Sequence, residues 1–428
     1  MNINYNLNKQ FFDYLSELGS EPGWQAEPTI AATANLPSRI PRGDDQGSVQ
    51  SRWDTLSVSN DMRREIADTV SLSRNKTYRR NIENYIGTVK VPVGIAGPLR
   101  VNGGFARGDY YVPLATTEAA LVASYNRGAR VISKAGGCTA VLLDEGVSRA
   151  PGFVFKSLSQ ATLFVGWALS QVEEFKRVTA ATSRFCKLIN MKHNIEGNHV
   201  FLNFEFFTED ASGQNMVTIA TQTICSYISD NSPVQPERWY VEVNFSGDKK
   251  ASRQSFQTVR GRKVAAEAVI PRALVEKGLH TTADQMARYY QMSTMGGVLS
   301  GTIGIQGHYA NSLAALYLAC GQDVACVAES AVGVTRFESI EGGDLYASVT
   351  LPNLMVATVG GGTGLPSQKA CLEILGLAGP GKAHAFAEVA ASLCLAGEIS
   401  IAAAISAGEF TRAHKQLARG NTDHGEGR

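Results

Sequence analysis

The chain has 428 residues, of which 44% are hydrophobic and 18% are charged. This composition is typical of a globular protein and excludes extensive disorder, and the length predicts two or three domains. Lys and Arg number 40 against 39 Asp and Glu, a formal charge of +1. We therefore expect neither nucleic acid nor an anionic membrane as a partner, because both attract strongly basic proteins.

The first third of the chain runs from a polar arm into a helix. Residues 1–82 predict an N-terminal arm or helical cap, with one charged helix over 57–73. Prolines and glycines in 83–99 indicate a shaped loop between short extended pieces. From residue 116 to 130 the sequence is helical, and Thr116 or Thr117 is the expected N-cap.

The rest of the chain divides into a mixed module, a polar loop and a helical segment. Residues 151–240 predict a small α+β module, with strands at 201–207 and 239–245 and helices at 160–178 and 216–228. A polar loop over 246–250 follows. Beyond about residue 260 the chain returns to Ala-rich helices, with strands near Ser348 and Val356.

The cysteines and the apolar segments predict a cytoplasmic protein without a membrane span. Seven cysteines lie mostly in apolar or helical runs without a CxxC pair, which predicts reduced, buried thiols in a cytoplasmic protein and neither a disulfide framework nor a metal site. The first 15 residues lack a signal-peptide pattern. The most apolar stretch, 383–410, contains Glu388, Glu398 and Glu409, so we expect a buried helix and no membrane span.

Two carboxylates sit in apolar, helix-like surroundings. Asp323 ends the run 311–323, and Glu118 lies at the start of the helix predicted from Thr116. A buried carboxylate needs a cation or a proton. Each could equally cap a helix or pair with a core arginine.

A lysine pair is the candidate cation for these acids, and two histidines are further candidates for chemistry. Lys249 and Lys250 follow Asp248 on a glycine-containing loop, which alone is also typical of a solvated turn. His414 ends the Ala-rich helix, where it either stabilises the helix dipole or donates a proton from a mobile end. His308 and Asn311, three residues apart, are expected to share a helix face.

The nucleotide signals are individually weak. GxGxxG is absent, and 376–383 resembles a Walker loop but ends in Ala383, which lacks the hydroxyl for Mg²⁺, so we interpret it as a helix-breaking turn. The loop 210–216 opens a helix and suits a pyrophosphate. Ser183 and Arg184 suit a phosphate monoester, and 360–363 allows close backbone approach. Each segment could also be an ordinary loop.

Taken in order, seven segments carry a family resemblance: ENYIGTVKVPVGIAGPL, ATTEAALVASYNRGAR, DASGQNM, GDKK, GHYANSLAALYLACGQD, ATVGGGTG and a late histidine. Over residues 83–419 the chain resembles the 3-hydroxy-3-methylglutaryl-CoA (HMG-CoA) reductase family. The DKK and DASGQN forms are similar to the class found in eukaryotes, archaea and some bacteria.

The resemblance implies an α+β fold in which a large helical domain with a flanking sheet surrounds a central helix. A small ferredoxin-like domain is inserted into it. The implied parts are 1–82, arm or cap; 83–150, first part of the large domain for substrate and CoA; 151–240, dinucleotide domain; 241–251, catalytic loop; 252–428, second part with a mobile tail. It also implies a homodimer or higher assembly with active sites between subunits.

The implied reaction uses NADPH rather than NADH to convert HMG-CoA to mevalonate by two hydride transfers, with CoA leaving after the first. Lys249 matches the cation that polarises the carbonyl, and Asp323 the acid paired with it. Glu118 matches the acid for aldehyde reduction, with burial and a neighbouring carboxylate raising its proton affinity. His414 matches the donor to the departing thiolate. The ammonium is thus expected between two acids in a dry crevice.

Binding residues follow from the same matches. The implied cofactor contacts are Ser183, Arg184, Phe185, Asp210, Ala211, Ser212, Gly213, Gln214, Asn215, Gly361 and Gly362. The implied substrate contacts are Ser124, Asn126, Arg127, Arg130, Arg149, Glu242, Asp248, Lys250, Gln291, His308 and Asn311.

Three positions depart from the family pattern. Gln291 stands where the family has a lysine for the distal carboxylate of HMG, Glu242 where it has a small hydroxyl residue, and Val327 where it has an asparagine. An alternative is therefore the same chemistry on another acyl thioester without that carboxylate, carried by CoA or by an acyl carrier protein. A third possibility is a non-catalytic relative that binds the dinucleotide and CoA.

Overall fold

A computed structural model of the chain describes residues 13, 16, 17, 40–43, 45–56 and 58–408. His414 and the C-terminal tail lie outside the described residues, as does most of the arm before residue 40. The chain divides into two compact units, residues 1–89 and 90–428.

In the first unit, short helices surround a small core. They are α1 (Gln46–Asp54), α2 (Asn60–Ile66), α3 (Thr69–Ser73) and α4 (Asn75–Tyr78). The prediction of one helix over 57–73 is wrong. Ala67 leaves helical geometry at φ −107°, ψ 57°, and the carboxylate of Asp68 caps a new helix by accepting the N–H of Ser71.

The second unit contains a hairpin and a larger sheet. The hairpin is β1 (Val93–Asn102) with β2 (Arg107–Ala115). The strands of the larger sheet are β3 (Thr139–Arg149), β4 (Gly152–Val154), β5 (Lys187–Glu196), β6 (His199–Phe207), β7 (Arg238–Tyr240), β8 (Gly261–Ile270), β9 (Val334–Ser339) and β10 (Leu345–Leu354). Their order is β7-β4-β6-β3-β8-β10-β9, with β5 also paired to β6, and every pairing is antiparallel.

The helices of this unit pack against the larger sheet, the hairpin or one another. They are α5 (Leu121–Lys134), α6 (Leu158–Ser170), α7 (Val172–Thr182), α8 (Gln214–Asn231), α9 (Arg272–Leu279), α10 (Ala283–Ser300), α11 (Tyr309–Cys320), α12 (Val327–Ser330), α13 (Pro366–Ile374) and α14 (Ala383–Ser406). The mixture of helices and sheet confirms the α+β expectation in its broad form.

The module at 151–240 runs β4, α6, α7, β5, β6, α8, β7. The single helix predicted over 160–178 is wrong, because Gln171 (φ −97°, ψ 5°) separates α6 from α7. The strand predicted over 239–245 is also too long. It ends at Tyr240, and Asn244, at φ +64°, is left-handed and cannot continue a strand.

Helix α14 lies at the centre of the second unit, with 20 of its 24 residues buried. Among the described residues it is the one helix long and apolar enough to cross a membrane, and most of it is buried inside the protein. The expected buried helix is therefore confirmed. All seven cysteines are also buried and unpaired, as predicted.

Helices α5 and α14 approach each other backbone to backbone. A Cβ atom at Gly128 would lie 1.9 Å from the carbonyl oxygen of Ala396, and one at Gly397 would lie 2.1 Å from the ring of Tyr125. Only glycine fits at these two positions. The contact fixes the position of α5 relative to the central helix.

Two buried carboxylates of α14 organise neighbouring loops. Glu388 accepts hydrogen bonds from the backbone N–H groups of Gly104, Phe105 and Ala106, in the turn between β1 and β2. Glu398 does the same for the segment before α11. These contacts satisfy the carboxylates that would be costly to bury alone.

Candidate active site

Lys249 lies on the loop between β7 and β8, directly against Asp323. Its Nζ is 3.0 Å from Asp323 Oδ2, and the two side chains are 46% and 40% exposed. The hydrogen bond to Asp323 outweighs the partial burial and raises the pKa of Lys249. Lys249 has φ +56°, a conformation that costs a non-glycine residue about 1–2 kcal/mol. The loop thus holds a fully charged ammonium in a strained, defined position.

Asp323 lies three residues beyond the end of α11, which the left-handed Gly321 terminates at φ +68°. Its carboxylate caps the next turn through the N–H of Ala325, at 3.1 Å. The predicted cation partner is therefore confirmed, but the helix ends earlier than expected. The site is also half-exposed in the single chain, so the expected dry crevice is not present there.

The glycine run at 360–363 packs against the end of α11. A Cβ at Gly362 would lie 2.6 Å from the carbonyl oxygen of Gly321. Gly360 and Gly361 are left-handed, at φ +76° and +53°. This close backbone contact is one physical reason for the glycine run, whichever ligand approaches it.

Glu118 lies at the other end of α11 from Asp323. The amide of Asn311, in the first turn of α11, is 3.5 Å from Glu118 Oε1, and the hydroxyl of Thr116 accepts the N–H of Glu118. The predicted helix start is wrong, because Ala120 is left-handed at φ +69° and α5 begins only at Leu121. Glu118 is exposed in the single chain. Its expected burial in a site between subunits stays a prediction.

His308 is positioned by the central helix. Its Nδ1 lies 3.2 Å from Glu398 Oε1, and its ring stacks on Tyr125 at a centroid distance of 5.2 Å. Glu398 also accepts the backbone N–H groups of Gly307 and His308. His308 precedes α11 as its N-cap residue, so the prediction that it shares a helix face with Asn311 is wrong.

A buried charge network adjoins the Lys249 loop. Asp248 contacts Arg149 at 3.1 Å and Arg260 at 2.5 Å. Burial alone would raise the pKa of Asp248, but the two guanidinium groups hold it below its ordinary value. Arg260 also reaches the fully buried Glu329, at 3.4 Å, and burial raises the pKa of Glu329 against that attraction.

Glu242 and Gln214 complete this network. Glu242 Oε2 contacts Arg149 at 3.4 Å and accepts the N–H of Ala150 at 3.3 Å. The Gln214 side-chain oxygen accepts from Arg149 at 3.2 Å and from Arg260 at 2.6 Å. Gln214, predicted to contact the cofactor, therefore directs its side chain into the charge network.

Sequence reasoning missed Arg260, Glu329 and the role of Glu398. Glu398 had one available signal, a carboxylate inside an apolar helix, which was interpreted only as evidence against a membrane span. Arg260 follows an unremarkable polar segment, whereas Glu329 lies among apolar and small residues over 324–333, the same signal that singles out Asp323. Their partners come from distant parts of the chain.

The predicted dinucleotide residues lie on two segments of the 151–240 module, 183–185 and 210–215, and on the glycine run at 360–363. Arg184 stacks over the ring of Phe185 at 4.5 Å, and both are exposed. The Ser183 hydroxyl accepts the N–H of Phe185. Helix α8 begins after the left-handed Gly213 and carries no side-chain cap from the described residues. Its first N–H groups therefore suit an anion.

The Asp210 side chain is hydrogen-bonded at the start of α14. Its two carboxylate oxygens accept the N–H groups of Gly381 and Ala383, at 2.7 and 3.1 Å. The segment 376–383 is a glycine-rich turn that leads into α14, so its interpretation as a helix-breaking turn is confirmed. Residues 211–215 lie between this anchor and the first turn of α8.

The predicted CoA residues on α5 are largely held within the chain. Ser124 and Arg127 bond to Ser400 of α14, the latter at 2.6 Å from the Ser400 carbonyl oxygen, and Asn126 accepts the N–H of Gly97. Arg130 is exposed. Lys250, also exposed, donates to the Asp248 carbonyl oxygen at 2.8 Å.

Comparison with known proteins identifies one family. Residues 48–419 match the model of the hydroxymethylglutaryl-coenzyme A reductase family. The chain is 43% identical over 356 residues to a 3-hydroxy-3-methylglutaryl-coenzyme A reductase of Pyrococcus horikoshii, covering 82% of this chain and 86% of that protein. It is 44% identical over 361 residues to the enzyme of that name from Aeropyrum pernix, with coverages of 83% and 85%.

The chain belongs to the hydroxymethylglutaryl-coenzyme A reductase family. It is therefore an oxidoreductase. A solved structure of a class II HMG-CoA reductase from Streptococcus pneumoniae bound to NADPH resembles its fold, with a TM-score of 0.63 and 20% identity. That match covers 84% of this chain and 96% of the other.

The structure describes all three positions at which the sequence is expected to depart from the family pattern. Gln291 is exposed on α10, and Val327 begins α12. Glu242 lies in the charge network next to Lys249. Of the three, Glu242 is the one that places a charged side chain next to the candidate catalytic loop.

Proposed function

We propose that this protein reduces an acyl thioester to a primary alcohol with two equivalents of NADPH and two protons, releasing free CoA. The observation that supports it best is the ammonium of Lys249, held 3.0 Å from Asp323 on a left-handed loop. A fixed cation beside a reacting carbonyl stabilises the negative charge that develops on oxygen. NADPH would supply the hydrides.

The remaining catalytic assignments follow the family match. Lys249 donates to the carbonyl oxygen in both reductions, and Asp323 orients it and keeps it charged. Glu118, in contact with Asn311, supplies the proton for aldehyde reduction. His414, outside the described residues, protonates the departing thiolate.

The module at 151–240 is our proposed dinucleotide domain. Its elements follow the order β-α-β-β-α-β, with α6 and α7 together as the first helical part, and its antiparallel strands lie in the order β7-β4-β6-β5. This is the arrangement of a ferredoxin-like unit. Arg184 would bind the 2′-phosphate that distinguishes NADPH from NADH, and the uncapped start of α8 would bind the pyrophosphate.

A homodimer is the assembly that this arrangement supports. Within one chain, Lys249 contacts Asp323 beyond the end of α11, whereas Glu118 contacts Asn311 at its beginning. Twelve helical residues span roughly 18 Å, so one chain presents two separated half-sites. A second copy would bring the Glu118 half of one chain to the Lys249 half of the other. A cytoplasmic location stays a prediction.

Two acyl groups are candidates. HMG-CoA, giving mevalonate, is the substrate for which the family is named. A thioester that lacks the distal carboxylate is favoured by one specific observation: Arg149 already contacts two carboxylates, of Asp248 and Glu242, so a third carboxylate beside it would be repelled.

The test is a coupled assay of cofactor and product. The purified protein is incubated with NADPH and HMG-CoA, and NADPH oxidation, free thiol and mevalonate are measured together; a mixture without thioester is the control. Reduction predicts two NADPH oxidised for each thiol released. Tight NADPH binding without oxidation in the presence of HMG-CoA or any other acyl-CoA would refute the proposed reaction and favour a non-catalytic binding protein.

A further inference from the structure

The buried cation nearest to the Lys249 loop in the charge network, Arg149, is already paired with carboxylates. The Arg149 side chain is only 7% exposed, and its Nη1 atom is shared between Glu242 and Asp248 at 3.4 and 3.1 Å. Asp248 immediately precedes Lys249, so this network borders the reacting carbonyl in the proposed mechanism. An incoming carboxylate would have to displace a carboxylate that belongs to the protein.

The charge balance of the network is also unfavourable to an anion. Its members are two guanidinium groups, of Arg149 and Arg260, and three carboxyl groups, of Glu242, Asp248 and Glu329. Full ionisation would give 2 − 3 = −1. Buried like charges repel strongly because little water screens them.

The network has more unused acceptors than donors. Glu242 Oε1 and Glu329 Oε2 are buried without a hydrogen-bond partner among the described residues, and Arg149 Nε is the one such donor in the network. Buried polar atoms are normally satisfied. Glu329 is fully buried, whereas the Glu242 side chain is 20% exposed. Glu242 Oε1 is therefore the oxygen that calls for a ligand that donates hydrogen bonds.

Building on the proposed thioester reduction, we infer that Glu242 selects an acyl chain whose far end donates hydrogen bonds, a hydroxyl or an ammonium group, and rejects one that ends in a carboxylate. Glu242 Oε1 accepts the donor while Oε2 stays on Arg149. Selection arises because a carboxylate would meet another carboxylate, whereas a donor would satisfy an oxygen that is otherwise unpaired.

Four CoA thioesters test this inference. All four contain the 3-hydroxy-3-methylbutyryl unit that remains when the distal carboxylate is removed from HMG. At its C4 atom they carry a carboxylate (HMG-CoA itself), a hydroxymethyl group, an aminomethyl group or hydrogen. Their binding to the protein is measured by calorimetry, and their reduction by NADPH oxidation. The variants are Glu242→Ser and Glu242→Gln, with Glu237→Ser as the matched control, an exposed glutamate nearby in the sequence.

The wild type and Glu237→Ser should bind and reduce the hydroxymethyl or aminomethyl thioester at least tenfold better than HMG-CoA. Glu242→Ser should reverse this order. Glu242→Gln, which keeps an acceptor oxygen but removes the negative charge, should weaken binding of the aminomethyl compound more than that of the hydroxymethyl one. Thermal unfolding identifies a variant that has failed to fold, in which case the wild-type order alone decides.

The outcomes separate the two proposals. A wild type that binds HMG-CoA as well as or better than the donor-bearing thioesters overturns the inference, even if thioester reduction is rapid. Selective binding of the donor-bearing thioesters without NADPH oxidation overturns the proposed reaction and leaves the selectivity of Glu242 standing. Equal binding of all four overturns the inference as well.

Discussion

Lys249 Nζ and Asp323 Oδ2 lie 3.0 Å apart, which joins the loop before β8 to the turn after α11. Neither residue is deeply buried, so the pair does not act mainly through stability. An exposed ion pair contributes about 0–1 kcal/mol. Its importance lies in what it does to the lysine, because the contact with Asp323 raises the pKa of Lys249 and fixes the position of its ammonium.

Replacing Asp323 should shift the pH profile of the reaction. Asp323→Asn removes the contact that raises the pKa of Lys249, so the ammonium deprotonates at a lower pH than in the wild type. We expect the alkaline limb of kcat/KM to move to lower pH, with a lower plateau. The check is kcat/KM for NADPH-dependent thioester reduction from neutral pH to well beyond pH 10.5, the ordinary pKa of lysine, so that both alkaline limbs are covered. Superimposable alkaline limbs would contradict this role.

The same substitution, glycine to alanine, should have opposite effects on stability inside and outside the contact between α5 and α14. Gly128→Ala places a Cβ 1.9 Å from the Ala396 carbonyl oxygen, and the backbone shift should cost about 1–3 kcal/mol or more. Gly166→Ala, in α6, adds a Cβ with no atom within 4 Å and should stabilise the protein by about 0.5–1 kcal/mol.

Urea denaturation of these two variants measures both effects. Equal and small changes in the free energy of unfolding would show that α5 and α14 do not pack as closely as described.

The buried Asp248 predicts a pH-dependent loss of stability. Its pKa is lower in the folded chain than the ordinary 3.8, because Arg149 and Arg260 outweigh the effect of burial. A lowered folded pKa stabilises the protein above pH 3.8 and loses that contribution as the pH falls through the folded value. The difference in unfolding free energy between wild type and Asp248→Asn should therefore be largest near pH 7 and shrink below pH 4. A difference that is constant from pH 7 to pH 3 would contradict the assignment.

Cofactor choice should depend on Arg184. The guanidinium group lies over Phe185 and is exposed to a ligand. Arg184→Ala should weaken NADPH binding about tenfold, since a charge-assisted contact to the 2′-phosphate is lost, and should leave NADH binding nearly unchanged. Arg177→Ala, an exposed arginine of α7 paired with Glu174, is the control. Equal weakening of both dinucleotides by Arg184→Ala would show that this arginine does not read the 2′-phosphate.

How far the sequence predicts the structure depends on the range of the interactions. The buried helix α14, the buried cysteines and the turn at 376–383 follow from local composition and glycine content. Helix boundaries were missed wherever one residue adopts a special conformation. Ala120 is the clearest case, since its left-handed geometry ends the turn containing Glu118, and alanine gives no signal of it.

In the candidate site, too, the features that depend on local sequence are predicted and those that depend on distant contacts are not. A carboxylate among apolar residues predicts a cation, and Asp323 has one in Lys249. The sequence could not predict that Arg260 would bind Asp248 and Glu329, because those contacts depend on which strands and helices meet. Nor could it predict that Glu242 would form an ion pair with Arg149, because the sequence shows an acidic residue but not which cation lies beside it.

The most direct test of the central claim is the rate of NADPH-dependent thioester reduction by Lys249→Ala, measured beside its affinity for NADPH. Loss of a preorganised oxyanion donor predicts a decrease of about 100- to 1000-fold in kcat with unchanged NADPH binding. Lys277→Ala, an exposed lysine of α9, should keep the wild-type rate. A Lys249→Ala rate above about one tenth of wild type, a barrier change under about 1.4 kcal/mol, would contradict the claim that this ammonium stabilises the developing oxyanion.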